Sequence, residues 1–279
     1  MKTLTYPPAD PVLRVVPLAV IVAALLAAPV ALAQFAFADR DVLLTVRKAG
    51  ATSSLLVDLG SDKQFDTAPA GSTLNLGVVP GLISTFGPNL SGIQFSFLGT
   101  VRNADNADAT NPQHTLFASR LRADLNSQTT PWNTQSATAQ ATAGGKIFTL
   151  GNSSVGTGLN ANFAVFSSGD TSHGINRWVG SGISGGGSVG NLNGTWQAGG
   201  TPEGKAPDVF LNGDYLRSDF YRLVPSSGEA GYIGTFELSG AGVLSFSTST
   251  VPEPSEFALV AVGLAGGLVV WAQRRLRSV

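Results

Sequence analysis

The chain of 279 residues contains no cysteine. Disulfides, thiolate nucleophiles and cysteine-ligated zinc are therefore excluded. A fold built from this chain must hold by packing and hydrogen bonding alone. Charge is also scarce: Asp, Glu, Lys and Arg make up 13% of the residues, about half the usual ~25%. The formal net charge is −1 and the isoelectric point is near 6.1, so the basic footprint of a nucleic-acid binder is missing. Histidine occurs twice, as His114 in "NPQHTL" and His173 in "DTSHGIN". Neither stands at H-x-x-x-H or H-E-x-x-H spacing, and both polar, turn-like settings suggest surface positions. Asp170 is close enough in sequence to pair locally with His173. No repeat of constant period occurs.

What is present is concentrated at the two ends. Val15 to Ala33 reads "VVPLAVIVAALLAAPVALA", preceded by Lys2 and Arg14. A charged start, an apolar run and the small-x-small triplet Ala31-Leu32-Ala33 form the pattern of a secretory signal peptide. Pro29 ends the apolar helix shortly before that triplet. Cleavage after Ala33 is expected, with Ala36-Phe37-Ala38 as a second site and an uncleaved anchor as the alternative. Signal peptidase and the export machinery are the implied partners. Between the ends, residues 34–250 carry twelve Lys and Arg against fifteen Asp and Glu, a net charge of −3.

This middle region alternates short apolar runs with Gly, Asn, Ser, Asp and Pro. "DVLLTVRK" (41–48) and "SSLLVDLG" (53–60) are strand-like, and the Ala49–Thr52 link suits a hairpin. "GIQFSFLGTV" (92–101) has the period-2 pattern of a half-buried strand. "TLFASRLRA" (115–123), "NFAVFSSG" (162–169), "DVFLNG" (208–213), "DYLRSDFYRLV" (214–224) and "GYIGTFELSGAGVLSFSTS" (231–249) continue the series. The alanines of "NTQSATAQATAGGKIFTL" (133–150) predict a short helix, with Asn133 or Thr134 as cap and Gly144-Gly145 as its end. The glycine-rich segment 180–200 reads as a mobile loop between strands. The expectation is a mainly β, sandwich- or jelly-roll-like ectodomain with one short helix. An N-terminal signal helix and a C-terminal single transmembrane helix would flank it.

Catalytic signals are weak. Gly182–Gly186 and Gly186–Gly190 both match G-x-S-x-G. A nucleophile elbow needs a strand before it, a helix after it and a downstream histidine, and none is there. "RNADNADATN" (102–111) gathers Asn103, Asp105, Asp108 and Asn111. Its spacing misses the calcium-loop template, and such residues populate turns for local hydrogen-bonding reasons. Asp214, Tyr215, Asp219, Tyr221 and Arg222 could serve a sugar site or an ordinary amphipathic strand. Trp132, Trp178 and Trp196 could stack on a glycan, with packing as the default. Glycosylation sequons stand at Asn89, Asn152 and Asn193. No catalytic residue, metal site or cofactor is expected.

The C-terminal end carries the most specific signal. Phe257 to Ala272 is a run of 16 residues without a charged side chain, followed by Arg274, Arg275 and Arg277. The run is near the lower limit for a membrane span. Its glycines Gly263, Gly266 and Gly267 are tolerated in lipid, and the arginines fit a cytoplasmic flank. Ahead of it stands Pro252-Glu253-Pro254. The order of motif, short apolar run and basic tail over residues 251–279 resembles the PEP-CTERM sorting signal of Gram-negative bacteria. The resemblance implies an exosortase, a membrane enzyme, as processing partner. Pro252, Glu253 and Pro254 would be its recognition residues, with Arg274, Arg275 and Arg277 holding the tail in the cytoplasm. Two prolines keep such a segment extended and unpaired, as entry into a processing site requires. The body is similar to ectodomains of such proteins through "DVLLTVRK", "LLVDLG" and "GTFELSGAGVLSF", a likeness that brings no activity with it. The implied function is an exported surface or matrix protein of structural or adhesive role in an exopolysaccharide or biofilm setting. A carbohydrate-binding module is the runner-up and a secreted hydrolase the third reading. The implied location is the inner membrane transiently, then the cell surface or extracellular matrix.

Overall fold

The computed structural model describes residues 33–133, 135–158, 160–175, 192, 196–207, 215–226 and 228–248. Both expected terminal segments, apart from Ala33, and the run 208–213 lie outside the described residues. Among those described, no helix is long and apolar enough to cross a membrane.

The body is mainly β and antiparallel. Its strands are β1 (Asp41–Lys48), β2 (Ser53–Ser61), β3 (Thr73–Val78), β4 (Ile93–Thr100) and β5 (Leu116–Leu121), then β6 (Phe163–Ser167), β7 (Gly204–Lys205), β8 (Tyr215–Leu223), β9 (Gly231–Ser239) and β10 (Val243–Thr248). They form one continuous sheet in the order β3-β10-β9-β8-β5-β4-β1-β2-β6, with β7 added to β4. The expected hairpin 41–60 is present: β1 pairs with β2, and Gly50 at φ 77° makes the turn that a side chain would strain.

The sheet is strongly curled. β4 and β9 are three steps apart in it, about 14 Å if the sheet were flat. Yet Phe97 of β4 stacks on Phe236 of β9 with ring centroids 4.0 Å apart. Alternation puts Val42, Leu44, Phe95, Phe97, Phe117, Phe220, Phe236 and Phe246 on the enclosed face. A one-turn helix after β2, α1 (Lys63–Asp66), plugs this interior with Phe65. That ring meets Phe220, Phe236 and Phe246 edge-on. A second short helix, α2 (Leu82–Phe86), follows β3 and lies at the seam. Gly81, at φ 76°, sits so close to β6 that a Cβ would stand 2.8 Å from the Phe163 ring. The segment leaving one edge strand thus packs against the other edge strand.

The outer face is covered by α3 (Ala137–Asn152), capped by the Ser136 hydroxyl, which accepts from the Ala139 N–H. The expected helix is present, but it neither starts at Asn133 or Thr134 nor ends at Gly144-Gly145. The reason is packing. A Cβ on Gly144 would stand 2.6 Å from Thr100 Oγ1 and 3.2 Å from Leu116. Glycine at 144 lets the helix lie close on β4 and β5; it is not a stop signal. Ala143 and Ile147 then pack with Leu98 and Leu116, and Leu150 with Leu43 and Leu56.

Candidate functional site: an acidic corner and a buried polar face

Two places in the body gather charge. The first is the corner where the chain enters β1. Arg40 has φ 81°, in the left-handed region that few side chains adopt, and its guanidinium is nearly enclosed. It donates from Nε and Nη2 to the two oxygens of Asp62 at 2.8 and 2.7 Å, and from Nη1 to Asp108 at 2.7 Å and the Asn106 carbonyl at 2.7 Å. Asn111 donates to Asp66 at 2.8 Å, and Arg222 reaches the same carboxylate at 2.9 Å. Asp39 accepts from the Arg102 and Asn103 amides and from the Asn106 side chain. The Arg40 contact holds Asp108 below the usual carboxylate range, helped by the Asn111 N–H. The acidic loop 102–111 is thus a set of turns clamped by an arginine, as the turn reading expected. Among the described residues, no group of His, Asp or Glu has the arrangement of a metal site.

Beside this clamp sits a different pair. Asp41 and Asp58 face each other across β1 and β2, hydrogen-bonded side chain to side chain. Asp41 accepts from the Ala38 N–H at 2.6 Å and Asp58 from the Gly60 N–H at 2.7 Å. Burial, followed by Asp41 as a like neighbour, pushes the Asp58 carboxyl up to about 7. Burial also raises Asp41, with Asp62 and Asp39 adding repulsion. Two carboxyls in this arrangement share one proton. Arg40 is committed to Asp62 and Asp108. The pair can hold and exchange a proton near neutrality.

The second place is the outer face. Arg47 projects from β1 at an outward position and makes a fork with Glu203, at 2.6 and 2.7 Å. Their side chains are 1% and 5% exposed, and Arg47 Nη1 has no hydrogen-bond partner. Asp219, fully buried, accepts from Arg122 at 2.7 Å, the Thr235 hydroxyl at 2.9 Å and the Thr129 N–H at 2.6 Å. Tyr221 donates to the Thr129 carbonyl. Asp219 and Tyr221 are therefore packing and hydrogen-bonding residues. Tyr215 is exposed, with the Arg217 guanidinium 4.8 Å above its ring. Asp214 lies outside the described residues.

Trp132 and Trp196 are buried and meet edge-on at 5.1 Å, the packing arrangement expected by default. The Arg120 guanidinium lies 4.7 Å over the Trp132 ring. Trp178 and both G-x-S-x-G matches lie outside the described residues. Of the described members of the glycine-rich stretch 180–200, Leu192, Trp196 and Ala198 are buried in the core beneath α3, whereas Gln197, Gly199 and Gly200 are exposed. His173 does pair with Asp170, at 2.8 Å.

Sequence reasoning missed the Arg40–Asp62 fork, the Arg47–Glu203 fork and the Asp41–Asp58 pair. A lone arginine on the face of the apolar run "DVLLTVRK" was the available signal for Arg47. The expected sorting residues Pro252, Glu253, Pro254, Arg274, Arg275 and Arg277 and the signal residue Ala31 lie outside the described residues. Ala33 is exposed, one residue ahead of the exposed Gln34. Comparison with known proteins returns no match: no family model, no curated relative and no solved structure is similar to this chain.

Proposed function

We propose that the chain is an exported protein whose β-rich body is carried to the cell surface or extracellular matrix by its C-terminal sorting signal. Its work there is structural or adhesive. The observation that carries this reading is where the packed body begins and ends. Phe35 is buried and fixed by hydrogen bonds to Thr157 and Gly156. The last strand ends at Thr248. A cut after Ala33 would spare every residue of this packing. A cut after Ala38 would remove Phe35 from its core, which favours the earlier site. At the other end, Pro252 stands four residues past Thr248 in the sequence, so a cut at the motif would lie beyond every described strand. The sandwich-like reading of the fold fits the curled sheet, whose enclosed face is lined by phenylalanine from both halves.

A non-enzymatic role is part of this reading. Exosortase is the processing partner, after signal peptidase and the export machinery, and exopolysaccharide is the surrounding material. The test is a variant with Pro252→Ala, Glu253→Gln and Pro254→Ala, compared with the unaltered chain in the native host. The unaltered chain is expected in the surface and matrix fractions and the variant in the membrane fraction. An identical distribution would contradict the reading.

A further inference from the structure

The last described residue, Thr248, is pinned on an uncharged edge. Thr248 Oγ1 donates to the Pro69 carbonyl at 2.6 Å, and the Thr248 N–H donates to the Ser72 carbonyl at 3.0 Å. The Ser72 N–H donates back to Thr248 Oγ1 at 2.9 Å. Only Ser249, Thr250 and Val251 separate this clasp from Pro252. Four residue steps span at most about 14 Å. The start of the apolar run, Phe257, is at most about 32 Å from the clasp. A membrane protein that grips the motif is therefore held within about 14 Å of this clasp.

The surface it meets has an unusual composition. No Asp, Glu, Lys or Arg occurs from Thr67 to Val101, nor from Leu238 to Pro252. These stretches supply β3, β10 and the Pro69–Ser72 turn. Among the described residues, β3 is an edge strand that pairs with β10 alone, and it lacks the charge or proline that usually blunts an edge. Val78 is 63% exposed, and its register partner Val243 is 37% exposed. Charge resumes one strand further in, where Glu237 of β9 pairs with Arg217 of β8. Lysine at an exposed edge costs the fold little, so the absence of charge is not required by packing.

We infer that the β3–β10 edge with the Pro69–Ser72 turn is the surface by which the body docks on the membrane enzyme that reads Pro252-Glu253-Pro254. This rests on the sorting reading above. The partner surface it fits is an uncharged, hydrogen-bonding rim on the outer side of that enzyme. An open edge strand offers it backbone groups as well as small side chains. The short tether fixes which face is presented, so the edge acts as part of the substrate.

The test follows tail removal by pulse labelling in the native host, with the full chain. Thr73→Lys combined with Val78→Lys puts two charges on the edge. Unchanged thermal unfolding of the purified variant confirms that the body still folds. Processing of this variant is expected to slow roughly tenfold. In the otherwise unaltered chain, a Gly/Ser linker of about ten residues inserted after Ser249 separates the edge from the motif and should slow processing by a similar factor. Wild-type speed in the lysine variant, or in the linker variant, would overturn the docking inference alone. An unaltered chain that keeps its tail would overturn the sorting reading, and the docking inference with it.

Discussion

Replacing Asp58 with Asn should remove a pH dependence that the wild-type body carries. The physical basis is the shared proton between Asp41 and Asp58. The Asp58 carboxyl lies at about 7 in the folded chain, against an ordinary value of 3.8. Between those values the folded chain holds a proton that the unfolded chain has released. Stability is therefore greatest at the acid end of this window and falls as pH rises toward 7. A displacement of three units corresponds to ~4 kcal/mol at ~1.4 kcal/mol per unit. Partial exposure to water reduces this to ~1–2 kcal/mol. His114 works in the opposite direction: burial and then Arg102 lower it, so it adds stability as pH rises toward 6.5 and nothing further above it. Asp108 and Asp124 are held low and titrate below the window. Urea unfolding at about pH 5 and pH 8, read by tryptophan fluorescence, should find the wild type ~1–2 kcal/mol less stable at the higher pH. In Asp58→Asn the amide can donate to Asp41, standing in for the shared proton, and the Gly60 N–H keeps its acceptor. That variant should lose the decline and exceed the wild type at pH 8. A flat wild-type profile, or an equal decline in the variant, would refute the shared proton.

Three further outcomes follow from the packing. Gly144→Ala should destabilise the body by ~1–3 kcal/mol through the clash with Thr100 and Leu116, whereas Gly145→Ala, with open space around its Cβ, should stabilise it by ~0.5–1 kcal/mol; chemical denaturation of the pair measures both. Glu203→Gln should cost ~3–5 kcal/mol by leaving the Arg47 charge buried without a counter-ion, visible as a lower thermal midpoint. Phe236→Ala, which removes the ring touching Phe65, Phe97, Phe220 and Phe246, should cost ~3–5 kcal/mol in the same assay.

The strands were legible in the sequence as short apolar runs bounded by turn residues, with clear alternation in the β4 segment. β1, β2, β4, β8, β9 and β10 each appear close to where the pattern put them. β3 was not legible. Its Leu74 and Leu76 are only half-buried, and Gly77 breaks the run, as befits an edge strand with one partner. The strand order was also beyond reach, because pairing of β1 with β4 and of β5 with β8 is set by the whole curled sheet. Gly144-Gly145 read as a helix stop because local propensity favours that reading; the close approach to Thr100 overrides it. The charged corner was hidden for a related reason. Arg40 and Asp62 are 22 residues apart, and Arg47 and Glu203 are 156 apart. Sequence spacing carries no signal for such pairs, and only the fold brings them together.

The central claim is that this body is made to be released from both of its flanking segments. Intact mass measurement of the protein recovered from the cell surface or matrix tests it most directly. The account predicts a mature chain that begins at Gln34 and has lost Arg274, Arg275 and Arg277. A population that retains residues 1–33, or that carries Arg274–Val279 on every surface copy, would contradict it.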